Sequence, residues 1–401
     1  MDAAFHGYSA AQALRSGASE PVRLALLAAR SRTLALADAY ADALAAANMR
    51  VPYDPLWNPP LWELGHIGWF QEHWTGRNRE RSRGVRCGPD GPRAASLMAQ
   101  ADSWYDSGRV AHPSRWELPL PGAADTRAYL ADTLTQTLGL LARLPQDASD
   151  DELYFFRLVA LHEAMHGEAA TYMAPALGVG LPAAAPAQIP ATDRAAATVP
   201  VRSAPVLTVP AQVFRLGYDG PGFAFDNELG AHEVAIAAFE IDAAPVSWSR
   251  FLPFVAAGGY EQARWWGDEG WAWLQQARPR PPEGCAADPG AAAVHLNAYE
   301  AQAWCRWAGR RLPTEAQWEC AAVTAPGFAW GRVWEWTDTP FQPYPGFAPH
   351  PYLDYSAPWF GTRRVLRGAC HATSPLLAHP RYRNFFEPHR RDIFAGFRSC
   401  A

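Results

Sequence analysis

The chain has 401 residues, enough for two domains rather than one. Its net charge of −5 and pI near 6.2 offer no basic face for nucleic acid or an anionic membrane, and no apolar run reaches the roughly 20 residues of a membrane span. Six scattered cysteines with no C-x-x-C pair exclude a zinc ribbon and a disulfide scaffold and fit a reducing cytoplasm.

In chain order, Met-Asp-Ala-Ala-Phe-His lacks the basic start and apolar core of a secretory signal. Residues 1–19 have no periodicity and read as loosely held. Helical periodicity runs from about Glu20 to Ala47. Asn58-Pro59-Pro60 supplies a cap and first-turn prolines for a helix from Leu61 to about Trp74. The Arg-, Gly-, Ser- and Pro-rich stretch 75–122 reads as a long excursion. Helices follow over Thr126–Leu144 and from Asp151 to about Leu177, so residues 1–177 predict a four-helix bundle with one long crossover. Residues 178–205, mostly Ala and Pro, predict a stiff linker. Residues 206–401 change texture. Short β-prone runs (213–216, 232–236, 239–242) alternate with turn residues, and helices are expected at 297–307 and 314–323. In the latter, Thr314 and Gln317 have capping-box spacing. The second domain therefore reads as irregular α+β with long loops, rich in tryptophan. No internal repeat is visible.

Within Leu158–Met173, His162 and His166 are four residues apart and share one helix face. Phe155 and Val159 lead into that face, so both imidazoles point inward. Two readings follow: a transition-metal pair, or core histidines bonded to backbone or carboxylate. His66, on an apolar helix of the same bundle, offers a third neutral nitrogen, or is itself a core residue. Three ligands leave positions open, which favours catalysis over a closed structural site. Glu168 would complete a two-His, one-carboxylate set, but it lies two residues past His166 and turns away, which favours a supporting role.

The ordered motifs LWELGHIGWFQEHW, LHEAMHGEAA, FAFDNELGAHEV, GRRLPTEAQWECAA, GRVWEWTDTPF, VLRGACHATS and RNFFEPHRRDIFAGFRSC resemble the ergothioneine sulfoxide synthases. The resemblance covers nearly the whole chain. It implies a DinB-like bundle followed by a domain similar to formylglycine-generating enzyme, of the C-type-lectin-like kind. It implies an Fe(II) enzyme that uses O2 to join a sulfur donor to imidazole C2 of hercynine, the trimethylated betaine of histidine. The family's iron ligands fall on His66, His162 and His166.

Departures from the family pattern concern the donor. Its Arg-x-x-Arg pair is His112-Pro113-Ser114-Arg115 here, its Arg-Asn-Trp-Asp is Arg383-Asn384-Phe385-Phe386, and its Gln before the second metal histidine is Met165. An imidazole does not replace a bidentate arginine, and a phenyl ring does not pair with an ammonium. The pattern is similar to the selenoneine synthase branch, which implies a selenosugar donor; a thiol donor is the alternative. The resemblance further implies a proton-donating tyrosine, matched loosely by Tyr352 or Tyr355 with Tyr344 as rival. A quaternary ammonium is held by aromatic faces, so Phe385 and Phe386 with Tyr355 read as a substrate surface, or as core; the family's Asn-Trp at this place implies a site at Asn384 and Phe385. Arg390 and Arg391 read as structural ion-pair partners, while the resemblance implies donor contacts at Arg115 and Arg390. Trp334-Glu335-Trp336 and the Arg311–Glu315 run read as scaffold. Two other classes compete: a formylglycine-generating oxidase, weakened because Cys370 has no cysteine at suitable spacing, and a non-catalytic metal-binding DinB module.

Overall fold

A computed structural model describes residues 9–181, 205–284 and 288–401. The Ala/Pro linker expected at 178–205 lies largely outside them. The N-terminal part is helical: α1 (Ser9–Ser16), α2 (Ser19–Ala43), α3 (Pro60–Gln71), α4 (Ala101–Tyr105), α5 (Ala123–Leu141) and α6 (Asp150–Met173). The bundle is formed by α2, α3, α5 and α6, in which α2 packs on α6 and α3 on α5. The C-terminal part mixes helices α7 (Trp248–Ala256), α8 (Asp268–Ala277), α9 (Ala298–Trp307) and α10 (Glu315–Thr324) with eight short strands. Strands β1 (Val206–Val209) and β4 (Phe239–Asp242) form one antiparallel pair, and β2 (Gln212–Leu216) and β3 (His232–Ile236) form another. Strands β5 (Trp334–Pro340), β6 (Arg364–Gly368), β7 (Asn384–Phe386) and β8 (Ala395–Gly396) make a four-stranded sheet in the order β7-β6-β5-β8. The architecture is α+β in two parts, as expected.

Ser149 and Glu152 close a capping box at the start of α6, and Asp150, Asp151 and Glu152 put negative charge at its positive end. Its body departs from the amphipathic pattern. Every residue from Leu153 to Ala164 is buried, and so is every residue of α3 from Trp62 to Gln71. A helix covered all round needs neighbours on two sides. Here the second neighbour is the C-terminal half, and one continuous core joins Trp62, Phe70 and Phe155 to Trp334 and Leu366. A buried polar network ties the helices together: Arg30 of α2 donates to Glu163 of α6 at 2.7 Å and to Gln71 of α3 at 2.7 Å.

Four expectations need correction. Residues 9–16 are not loose. They form α1, and Arg15 makes a buried bidentate ion pair with Glu228 at 2.8 Å; eight residues are too few to display a period. Asn58 does not cap α3, since Pro59 occupies the cap position and the Asn58 amide donates to the Glu63 side chain instead. The excursion at 75–122 contains α4 and returns to the bundle core at Tyr105. The helices α7 and α8 were not expected; α7 contains Pro253, which hides its helical character in sequence. The Thr314–Gln317 capping box is present on α10.

Candidate metal centre and substrate cavity

His66 projects from α3, and His162 and His166 from one face of α6. One nitrogen from each lies within 4.8 Å of the other two. The Nε2 atoms of His162 and His166 are 3.1 Å apart. The other ring nitrogens of two of these histidines are already engaged. His66 Nδ1 donates to the Tyr105 carbonyl at 2.7 Å. His166 Nδ1 meets the Glu63 carboxylate across the bundle. These contacts set the tautomer and aim each Nε2 at a common point. The His162 ring is clamped flat against Phe70, with centroids 3.5 Å apart and planes 4° from parallel.

Electrostatics favour neutral, ligating imidazoles at His66 and His162. Burial, reinforced by His166, pushes His66 down to about 3, and burial with the other two histidines holds His162 well below its ordinary value. Burial would raise the Glu63 carboxyl, but His166 outweighs it and holds Glu63 down at about 2. Three convergent ring nitrogens, with an anion behind one of them, fit a divalent transition ion and leave coordination positions open. Glu63 and the Tyr105 carbonyl were not found from sequence. The Glu63-x-x-His66 spacing, which puts both groups on one helix face, was a readable signal for the first. A backbone carbonyl carries no such signal.

The cluster opens on a cavity of about 300 Å³ between the two halves. From α6 come His162, Met165, His166 and Ala169; from the C-terminal half come Trp334, Tyr352, Tyr355, Tyr382, Asn384 and Phe385, with Phe386 beside them. Tyr352 lies edge-on to Phe70 at 4.9 Å and 6.1 Å from the His162 ring. Burial raises the hydroxyls of Tyr352 and Tyr355 above the ordinary tyrosine range, so both hold their protons. The Tyr355 and Tyr382 hydroxyls are 3.2 Å apart, and Tyr382 donates to Met165 Sδ at 3.5 Å. Phe385 is stacked on Phe341 at 4.1 Å. Glu168 accepts from Trp334 Nε1 at 2.6 Å and Thr373 Oγ1 at 2.5 Å, tying α6 to the second half rather than facing the histidine nitrogens.

Three expected site residues lie elsewhere. Tyr344 is buried under Arg383, 3.9 Å from its ring centroid, and does not line the cavity. Arg115 donates to Asn58 at 2.6 Å and to the Val110 carbonyl, above Trp62. Arg390 pairs with Asp392 at 2.6 Å above the Phe386 ring. Neither arginine lines the cavity. A buried guanidinium takes the nearest acceptors the fold supplies; for Arg390 that is its near neighbour in the chain, and for Arg115 it includes the distant Asn58. Arg391 pairs with Glu300 at 3.3 Å.

A helical bundle and a mixed α+β domain with a histidine cluster at their junction define the class. Residues 25–170 match the DinB superfamily, and residues 192–332 and 329–401 match the sulfatase-modifying factor enzyme 1-like domain. A hercynine oxygenase of Mycolicibacterium smegmatis is 34% identical, over 93% of this chain and 96% of that protein. That of Mycobacterium tuberculosis is 34% identical, over 95% and 99%. The formylglycine-generating enzyme of Streptomyces coelicolor is 27% identical over 50% of this chain and 88% of its own length. The chain belongs to the hercynine oxygenase family.

Proposed function

We propose that this chain is an Fe(II)-dependent oxygenase that forms a carbon–selenium bond at imidazole C2 of hercynine, with a selenosugar as donor. The observation that carries the reading is the convergence of His66, His162 and His166 beside an aromatic cavity between two domains, whose wall includes His162 and His166. When bound, the iron would supply open coordination positions and one-electron chemistry with O2. The residues do the rest. The cavity brings both reactants together beside the histidines, converting a bimolecular encounter into a positioned one. Aromatic rings of Tyr352, Tyr355 and Phe385 suit a quaternary ammonium, which makes no strong hydrogen bonds, and the Asn384 amide suits the carboxylate end. Tyr382 donates to Met165, so its oxygen accepts from Tyr355; the Tyr355 proton is thus engaged away from the reacting centre. Tyr352, beside His162, is the proton source.

Donor choice rests on what is missing. His112 and Phe386 stand where a charged amino-acid donor would need cation and anion, and Arg115 is committed to Asn58. A neutral sugar needs neither. A thiol donor giving a C–S bond is the alternative, with the same metal and acceptor. Mass spectrometry of anaerobically iron-loaded enzyme given hercynine, air and either a selenosugar or a thiol panel decides. A selenium-containing hercynine adduct is expected; an adduct from thiols alone transfers the reading to the alternative, and no adduct ends both.

A further inference from the structure

We propose that a second, apolar cavity, on the bundle side of His166, binds dioxygen and feeds it to the histidine cluster. This deepens the oxygen-using reading above and rests on it. The cavity measures about 30 Å³ and lies among α2, α3 and α6. That is more than the ~10–15 Å³ one water-sized occupant needs, and too little for any organic substrate. Leu36, Ala37, Ile67, Ala170 and Met173 give it an apolar wall.

Its polar wall groups are already spent on the protein. Tyr40 Oη donates to the Ala170 carbonyl at 2.6 Å, and Thr33 Oγ1 to the Ala29 carbonyl at 3.1 Å. The Glu63 carboxylate is engaged by His166 and Asn58. An internal water requires two to four polar partners, whereas apolar cavities stay dry and take up small apolar guests such as xenon. The chemistry of the space therefore selects an apolar molecule of diatomic size. Its position selects which one. Among the described residues His166 is the one shared by this cavity and the substrate cavity, so the gas sits one imidazole away from the reacting centre. Substrate and gas then reach the cluster from different sides, and a filled substrate cavity does not block oxygen.

Xenon pressurisation of crystals of the iron-loaded enzyme, paired with oxygen-dependence kinetics, tests this. Wild type is expected to show xenon density in contact with Leu36, Ile67 and Met173. Ala37→Met, which fills the cavity from α2, is expected to lose that density and to raise KM for dioxygen by about threefold or more, with KM for hercynine and kcat at saturating oxygen unchanged. Ile67→Val, a milder change that enlarges the space, is expected to keep or increase xenon occupancy. Absence of xenon from the wild-type cavity, or an unchanged KM for dioxygen in Ala37→Met, overturns the proposal. Wild type that consumes no oxygen with hercynine overturns the functional reading, and the feeding role with it, before any variant is made; the xenon map still decides by itself whether the cavity takes gas.

Discussion

Glu63 and His166 are 103 residues apart in sequence, and the Glu63 carboxylate closes directly on His166 Nδ1 between α3 and α6. Glu63 lies one turn before His66 on α3, so one helix supplies both a ligand-type imidazole and the anion that orients another. Such a carboxylate raises the basicity of the imidazole it holds and fixes its ring. Glu63→Gln is expected to lower metal affinity by about 10–100-fold while the far-ultraviolet circular dichroism stays unchanged. Titration of iron into the anaerobic apoprotein measures it; unaltered affinity would mean that the contact orients nothing.

Chelation should abolish product formation, and Fe(II) added back should restore it while Zn(II) does not. His162→Ala should lose both metal and activity, because it removes one of the three converging imidazoles. Metal analysis alongside turnover checks this. Retained iron in His162→Ala would move the centre elsewhere.

The two cavity tyrosines are distinguishable. Tyr352→Phe removes the hydroxyl of the ring 6.1 Å from the His162 ring and is expected to cut product by about 10²–10⁴-fold, the usual span for a positioned acid, while oxygen consumption persists. Tyr355→Phe removes one bond to Tyr382 and is expected to cost only a few-fold. Product and oxygen measured in the same reactions give the coupling ratio. Equal effects in the two variants would refute the assignment.

Stability of the C-terminal half depends on Glu335, which is fully buried with Arg398 and also accepts from Trp318 Nε1 at 2.8 Å. Glu335→Ala leaves the guanidinium buried without its partner and should cost about 3–5 kcal/mol. Urea denaturation reads it. A loss within error of zero would mean that the buried pair rearranges freely.

The Asp102 carboxyl is held down at about 2, first by its hydrogen bonds from Arg77 and then by Trp69 against the cost of burial. A depressed folded value stabilises the protein above the unfolded pKa of about 3.9, and that contribution fades as pH falls toward the folded one. The difference in urea midpoint between wild type and Asp102→Asn should therefore be constant above about pH 5 and shrink between pH 4 and 2. A difference independent of pH would show that charge on Asp102 is irrelevant to the fold.

Sequence by itself determined the features that depend on near neighbours in the chain. Helical spacing put His162 and His166 on one face, Thr314 and Gln317 announced a helix start, and strands at 232–236 and 239–242 followed from β-prone runs between turns. Each is settled by backbone geometry over a few residues. The tertiary structure alone decided which distant groups complete the site. Nothing local to His66 says that the Tyr105 carbonyl will accept its hydrogen bond, and nothing local to Arg115 says that it will be spent on Asn58, far back in the chain, rather than on a substrate. Buried polar groups must be paired, but the partner is whichever group folding brings near, and that depends on how two whole domains pack. The same packing buried α6 on all sides over Leu153–Ala164, where sequence had shown one apolar face, and so made the helix that carries His162 and His166 into the wall of a cavity.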